Sequence, residues 1–266
     1  MAAGRRLRFV AVCEDAAMRS IGRDGTVVLE RPEDYDDDLA VAVQATQLDV
    51  SRSMATRIVA EWCEFFRSGP SQIRELEFTS RTPKRLFAAL EGQTQLQSLI
   101  TKWGDYDDLA PLGGMRSLET LELHSAPALI DLNPIADIPS LRSLVLIGTF
   151  RVHDYSPIGA CKRLEYLAVH PGTERGKSTT PNLEFLTELP MLRDLSFGVE
   201  PDDRDWSPIL RLQHVDRIHI AGPTDMRPTM LDLEWAVPGV AMAITEQHDW
   251  DESHHWVEDH PSDESP

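Results

Sequence analysis

Cysteine is scarce in this sequence. Cys13, Cys63 and Cys161 are the only three in 266 residues. They are odd in number, widely spaced and never in a Cys-x-x-Cys pair, which argues against a disulfide framework, a structural zinc site and a thioredoxin-like centre. Long apolar runs are also missing. No stretch approaches the roughly 18 to 20 residues needed to span a bilayer. The apolar run after Arg5 and Arg6 breaks at Cys13-Glu14-Asp15, too short for the core of a secretion signal. The expectation is a soluble, cytoplasmic protein with no membrane partner. Positive charge is the third shortage: 26 Lys and Arg stand against 44 Asp and Glu, a net charge of −18. Binding the phosphate backbone of nucleic acid needs a cationic surface, so nucleic acid is excluded as a partner.

The acidity is uneven. Residues 246–266 hold eight acids and no Lys or Arg, while residues 1–70 hold nine basic and twelve acidic side chains. An acidic body favours solubility and fast association with a basic partner. Arg outnumbers Lys 22 to 4, the bias of a GC-rich bacterial genome. The hydrophobic fraction, 41%, suffices for a continuous core.

That core is announced by a repeat. An apolar pattern φ-x-x-φ-x-φ recurs as Ile73-Leu76-Phe78, Leu96-Leu99-Thr101, Leu118-Leu121-Leu123, Leu141-Leu144-Leu146, Leu164-Leu167-Val169, Leu192-Leu195-Phe197 and Val215-Ile218-Ile220. The start-to-start spacings are 23, 22, 23, 23, 28 and 23 residues. Four further columns precede the last five copies at fixed offsets. They are Asp108, Asp131, Asp154, Asn182 and Asp205; Leu109, Leu132, Tyr155, Leu183 and Trp206; Pro111, Pro134, Pro157, Phe185 and Pro208; and Met115, Ile138, Cys161, Leu189 and Leu212. Alternation in the x-φ-x-φ-x stretch is that of a strand with one buried face. Asp followed three residues later by Pro suits a capped, tight turn. No single coil buries its own leucines, so neighbours must stack.

Over roughly residues 70–222 the pattern resembles the leucine-rich repeats of the short bacterial class, about 22 residues long and similar to internalin repeats. The resemblance implies an α/β fold: a right-handed solenoid with a curved parallel sheet, short helical or 3-10 return segments and an N-terminal helical cap. One departure is plain. The family's interior Asn ladder would fall on Arg81, Gly104, Ala126, Thr149, Gly172, Glu200 and Pro223, none of them Asn.

The flanks complete a five-part plan: residues 1–49, a strand-containing segment; 50–70, a cap helix; 71–222, seven coils; 223–245, a C-terminal cap; and 246–266, a disordered acidic tail. Leu7–Val12 and Thr26–Glu30 read as strands, and Glu33-Asp34-Tyr35-Asp36-Asp37-Asp38 as a solvated loop. In the cap helix Met54, Ile58, Trp62 and Phe65 keep helical spacing, with Ser51 as N-cap and Gly69-Pro70 as the stop. Met230–Trp235 and Val240–Ile244 are expected to pair as a closing strand unit.

In a repeat of this family the x residues face outward on the concave sheet. The expected partner-binding set is Glu77, Ile100, Lys102, Glu122, His124, Val145, Ile147, Tyr166, Ala168, His170, Ser196, Arg217 and His219, with an apolar centre at Val145, Ile147, Ala168 and Tyr166. Trp103, Tyr106 and Phe150 are expected on the rim. An apolar centre ringed by polar residues is how interfaces are built. Seven coils at about 4.8 Å each make a face roughly 30 Å wide, suited to a folded protein.

Other motifs read as structural. Gly172–Thr179 resembles a phosphate-binding loop, but three residues separate its glycines where four are needed to wrap the phosphate, and it coincides with the 28-residue coil. His124 and His170 lie two coils apart, about 9.6 Å, too far to share a metal. His248, His254, His255 and His260 belong to the acidic tail. No cofactor, metal site or catalytic constellation is expected. The reading is a monomeric, non-catalytic scaffold that binds a protein partner. The alternatives are an acidic inhibitor neutralising a basic partner such as a nuclease toxin and, behind it, a nucleotide-binding enzyme.

Overall fold

The computed structural model describes residues 26–171, 178–222, 226–236 and 241–246. The strand expected at Leu7–Val12, most of the Gly172–Thr179 segment and the acidic tail beyond Glu246 lie outside them.

Among the described residues ten strands form one sheet in which every neighbouring pair is parallel. They are β1 (Val27–Leu29), β2 (Ala40–Val43), β3 (Glu75–Thr82), β4 (Ser98–Gly104), β5 (Thr120–His124), β6 (Ser143–Ile147), β7 (Tyr166–His170), β9 (Asp194–Phe197), β11 (Arg217–Gly222) and β12 (Ala241–Glu246). Two short strands, β8 (Thr179–Thr180) and β10 (Glu200–Pro201), pair in a second, separate sheet. In the main sheet the central leucines meet in register: Leu76, Leu99, Leu121, Leu144, Leu167, Leu195 and Ile218 form one buried column. Each such side chain contributes about 1.5–3 kcal/mol through burial, and only because a neighbouring coil covers it.

The return side is built from 3-10 turns at Ala110–Leu112, Asn133–Asp137, Ser156–Ala160, Glu184–Glu188 and Ser207–Arg211. The Asp column starts them. Carboxylates of Asp108, Asp131, Asp154 and Asp205 accept the N–H two residues on, at 2.8–2.9 Å, and the Asn182 amide oxygen does the same at 3.0 Å. Coil-to-coil cohesion then runs through a repeated backbone device. The carbonyls of Arg74, Gln97, Glu119, Arg142, Glu165 and Arg193 each accept two successive N–H groups from the next coil. Arg142 pairs with Glu165, and Arg193 with Asp216, along the same seam.

The missing Asn ladder is replaced by main chain. Gly104 N–H donates to Ser125 O, Ser125 N–H to Ile147 O, and Gly148 N–H to His170 O, at 2.8–3.0 Å. Gly148 turns out of its strand at φ 63°, where an added Cβ would stand 3.0 Å from the Ser125 Cα.

Both ends of the sheet differ from expectation. Strands β1 and β2 continue it beyond helix α1 (Arg52–Arg67), so the helix is the crossover between β2 and β3 and does not end the stack. Ser51 Oγ accepts the Met54 N–H at 3.3 Å, and Ile58, Val59, Trp62, Cys63 and Phe66 are its buried face. Gln93, 1% exposed, closes the other end by donating to the carbonyls of Phe66 and Gly69, both at 2.7 Å. A short helix, α2 (Lys84–Ala88), follows β3. At the far end Met230–Ala236 is a helix, α3, where a strand was expected, and β12 then pairs parallel with β11. Thr229 and Asp232 explain the helix: each side chain takes a backbone N–H of the other, a reciprocal cap at its first turn.

Cys63 and Cys161 are free, buried thiols. Burial pushes Cys161 up to about 11 from an ordinary value of 9.0. Above pH 9 the unfolded chain loses this proton while the folded chain keeps it, so stability falls as pH rises through 11, by about 3 kcal/mol at most. Urea unfolding at pH 7.5 and pH 10.5 should show wild type losing more than Cys161→Ala; equal losses would refute the assignment.

Candidate functional site

Residues between the buried columns point to the opposite side of the sheet. Pairing aligns them in rows. One runs Ala40, Glu75, Ser98, Thr120, Ser143, Tyr166, Asp194 and Arg217; the middle one runs Ala42, Glu77, Ile100, Glu122, Val145, Ala168, Ser196 and His219. A shorter row holds His124, Ile147 and His170, and Lys102 lies on β4. The thirteen expected face residues therefore share one surface.

Depth separates them. Lys102 and Arg217 are exposed, and Glu77, Glu122, His124, Ile147, Tyr166 and Ser196 are half-buried. Ile100, Val145, Ala168, His170 and His219 are buried, at 2–6% exposure, and the expected apolar contact centre is to that extent corrected. A short side chain in such a row has neighbours about 4.8 Å away on either side, so longer residues overtop it. On the rim Trp103 is 37% exposed and Phe150 is half-buried. Tyr106 is not on the rim. It is 1% exposed, stacked on Phe87 at 3.9 Å, with its hydroxyl 2.7 Å from Thr101 Oγ1. Its ring turns inward across Gly104, occupying the place a Cβ would take.

The polar residues of the face are organised in pairs. Glu122 Oε2 lies 3.1 Å from His124 Nε2. Asp194 receives two hydrogen bonds from the Arg217 guanidinium, which holds that group above its usual range. At the lip, Arg81 stacks over Trp103 at 4.9 Å and forms a fork with Asp105 at 2.8 and 3.2 Å. Ser196 Oγ sits 2.8 Å from His170 Nε2 and 3.2 Å from His219 Nδ1. One hydroxyl proton serves one ring, so the tautomers of the two histidines are linked. Sequence columns placed Ser196 and His219 in one row and His170 in the next, and the register between β7, β9 and β11 brings the three together. Among the described residues no group of three or more His, Cys, Asp or Glu is arranged to hold a metal ion. Nor is any described helix long and apolar enough to cross a membrane.

Strand, turn and 3-10 return recur with leucines in register from coil to coil, and the outward rows follow from that register. The chain is a leucine-rich-repeat solenoid. No family model matches its sequence, and no curated protein matches it. Solved structures similar to this solenoid include internalin C2 of Listeria monocytogenes, 18% identical over 65% of this chain and 69% of that one, TM-score 0.47. An internalin, InlF, of the same species is 16% identical over 77% of this chain and 58% of its own, TM-score 0.44. A leucine-rich-repeat protein of Leptospira interrogans is 11% identical over 73% and 54%, TM-score 0.45. This solenoid thus spans between about half and two thirds of their lengths.

Proposed function

We propose that this solenoid is a non-catalytic scaffold that binds a protein partner on the open face of the sheet between β3 and β11. The observation that carries this reading is the in-register array of outward rows, which sets Lys102, Glu122, Tyr166 and Arg217 on one continuous surface, with Trp103 and Arg81 at its lip. Aromatic and arginine side chains held by neighbours are the groups that anchor interfaces. A net charge of −18 favours a basic partner and fast encounter with it. In this reading the solenoid acts as a monomer in the cytoplasm, where its thiols stay reduced, and performs no reaction of its own.

The experiment uses the whole chain as bait, identifies the retained protein, and measures that pair by calorimetry. Val145 is buried, so Val145→Glu would test stability and not contact; Lys102→Glu/Tyr166→Ala/Arg217→Glu is the face variant. Arg116→Glu/Arg163→Glu, exposed residues before β5 and β7, is the control. The face variant should bind at least about tenfold more weakly, a loss of about 1.4 kcal/mol, with the control unchanged. A face variant that binds like wild type would sink the proposal.

A further inference from the structure

We infer that the partner meets this face with carboxylates, one at Lys102 and one at Arg217, set around an uncharged centre. This rests on the reading of the face as a binding surface and adds the chemistry of the surface that docks on it.

The acids of the face are turned to groups of the chain itself. Glu122 pairs with His124 and is 13% exposed, and Asp194 pairs with Arg217 and is 24% exposed. Glu75 and Glu77 hold contacts of their own. Asp216, beside Arg217, forms its ion pair with Arg193. The cations stand out instead. Lys102 is exposed and, among the described residues, forms no ion pair. Arg217 is 51% exposed and gives Asp194 two hydrogen bonds, while a guanidinium has five N–H donors. The two cations occupy opposite corners. Arg217 lies five strands along the sheet from Lys102, about 24 Å, and shares the row of Ser98, four residues or about 13 Å before Lys102. That diagonal, about 27 Å, fits within one interface of standard size. Between the corners stand Ser143, Ile147 and Tyr166, half-buried and uncharged.

Those features select the partner's side chains. The net charge of −18 acts on a partner during its approach. In contact, exposed charges more than about 8 Å apart are largely screened, and the nearest ones decide. A lysine or arginine set against Lys102 would meet like charge, which is unfavourable. A carboxylate there gains an ion pair, and one at Arg217 takes the donors that Asp194 leaves. A protein drawn in by its overall positive charge therefore still docks through acids at these two corners.

The first measurement needs no partner. The full-length chain, labelled at backbone amides and Ile methyl groups, is given two nitroxides of equal size, one bearing a carboxylate and one an ammonium. The relaxation each causes is compared residue by residue. The carboxylate probe should exceed the ammonium probe at least about twofold at the Lys102 and Arg217 amides and the Ile147 methyl. At Asp131, Asp137 and Asp154, exposed acids of the return turns, the order should reverse. Lys102→Gln should abolish the excess at Ile147. An ammonium excess across the whole face would overturn the inference. The second measurement treats the complex with the retained protein with a carbodiimide, which joins an amine to a carboxylate in contact. Lys102 should join an Asp or Glu of the partner, and Arg217→Lys should add a second link. Links running only from partner lysines to Glu122 or Asp194 would overturn the inference as well. If the Lys102→Glu/Tyr166→Ala/Arg217→Glu variant loses the partner but Lys102 joins nothing, the acidic contact alone fails; a partner retained by that variant overturns the face itself.

Discussion

Trp62→Ala is expected to destabilise the fold by about 4 kcal/mol. Trp62 is fully buried on α1, stacked against Phe66 at 5.5 Å and edge-on to Phe65 at 5.4 Å, and its Nε1–H donates to Glu30 O at 2.9 Å. That bond ties the helix to the end of β1. The alanine variant loses a large side chain and also strands a carbonyl, and the crossover between β2 and β3 loses its central contact. Denaturant unfolding followed by circular dichroism measures the loss, and hydrogen exchange should open first at β1 and β2. Trp62→Phe isolates the polar part. It should cost about 1 kcal/mol more than Trp206→Phe, because Trp206, equally buried, has an Nε1 with no hydrogen-bond partner. Equal costs for the two phenylalanine variants would show that the Glu30 bond holds nothing.

Gly104→Ala adds one methyl group and should still cost about 3 kcal/mol. A Cβ at this position would stand 2.0 Å from Cε1 and 2.6 Å from Cδ1 of Tyr106. The ring cannot yield, since Phe87 stacks on it and Thr101 holds its hydroxyl. The source of the cost is tested by a double-mutant cycle. Tyr106→Ala alone should lose about 3–5 kcal/mol, and adding Gly104→Ala to it should cost almost nothing further. Additive losses would place the strain elsewhere. Gly114→Ala serves as the neutral control, as the nearest atom to its added Cβ is Thr94 Cγ2 at 3.9 Å.

The repeat was legible because leucine columns at a near-constant period admit one geometry, and Leu99, Leu121, Leu144, Leu167 and Leu195 stack as their spacing requires. Strand β2 was not. Its Ala-Val-Ala-Val stretch alternates but carries no leucine, and a 16-residue helix stands between it and β3. Helix α3 was legible in principle, because Thr229 and Asp232 have capping-box spacing; the apolar content of Met230–Trp235 outweighed that signal. For the face, alternation identified which residues turn outward, and register confirms their rows. Alternation carries no information about height. Whether Val145 or Tyr166 stands proud depends on the length of the side chains beside it, and the His170–Ser196–His219 contact depends on a diagonal between strands. Tyr106 was misplaced for a different reason: an aromatic ring after a glycine can fold back over it, and the sequence marks that only by the Gly104 itself.

The coil between β7 and β9 is 28 residues long where the others hold 22 or 23, yet Leu167 still meets Leu195 and Val169 still meets Phe197. The longer coil leaves the main sheet undisturbed, and Thr179–Thr180 pairs with Glu200–Pro201 in a small sheet of its own. Such a chain keeps count of strands and not of the residues between them. Its descendants can lengthen between strands, by accident or by grafted insert, without shifting the register of the sheet.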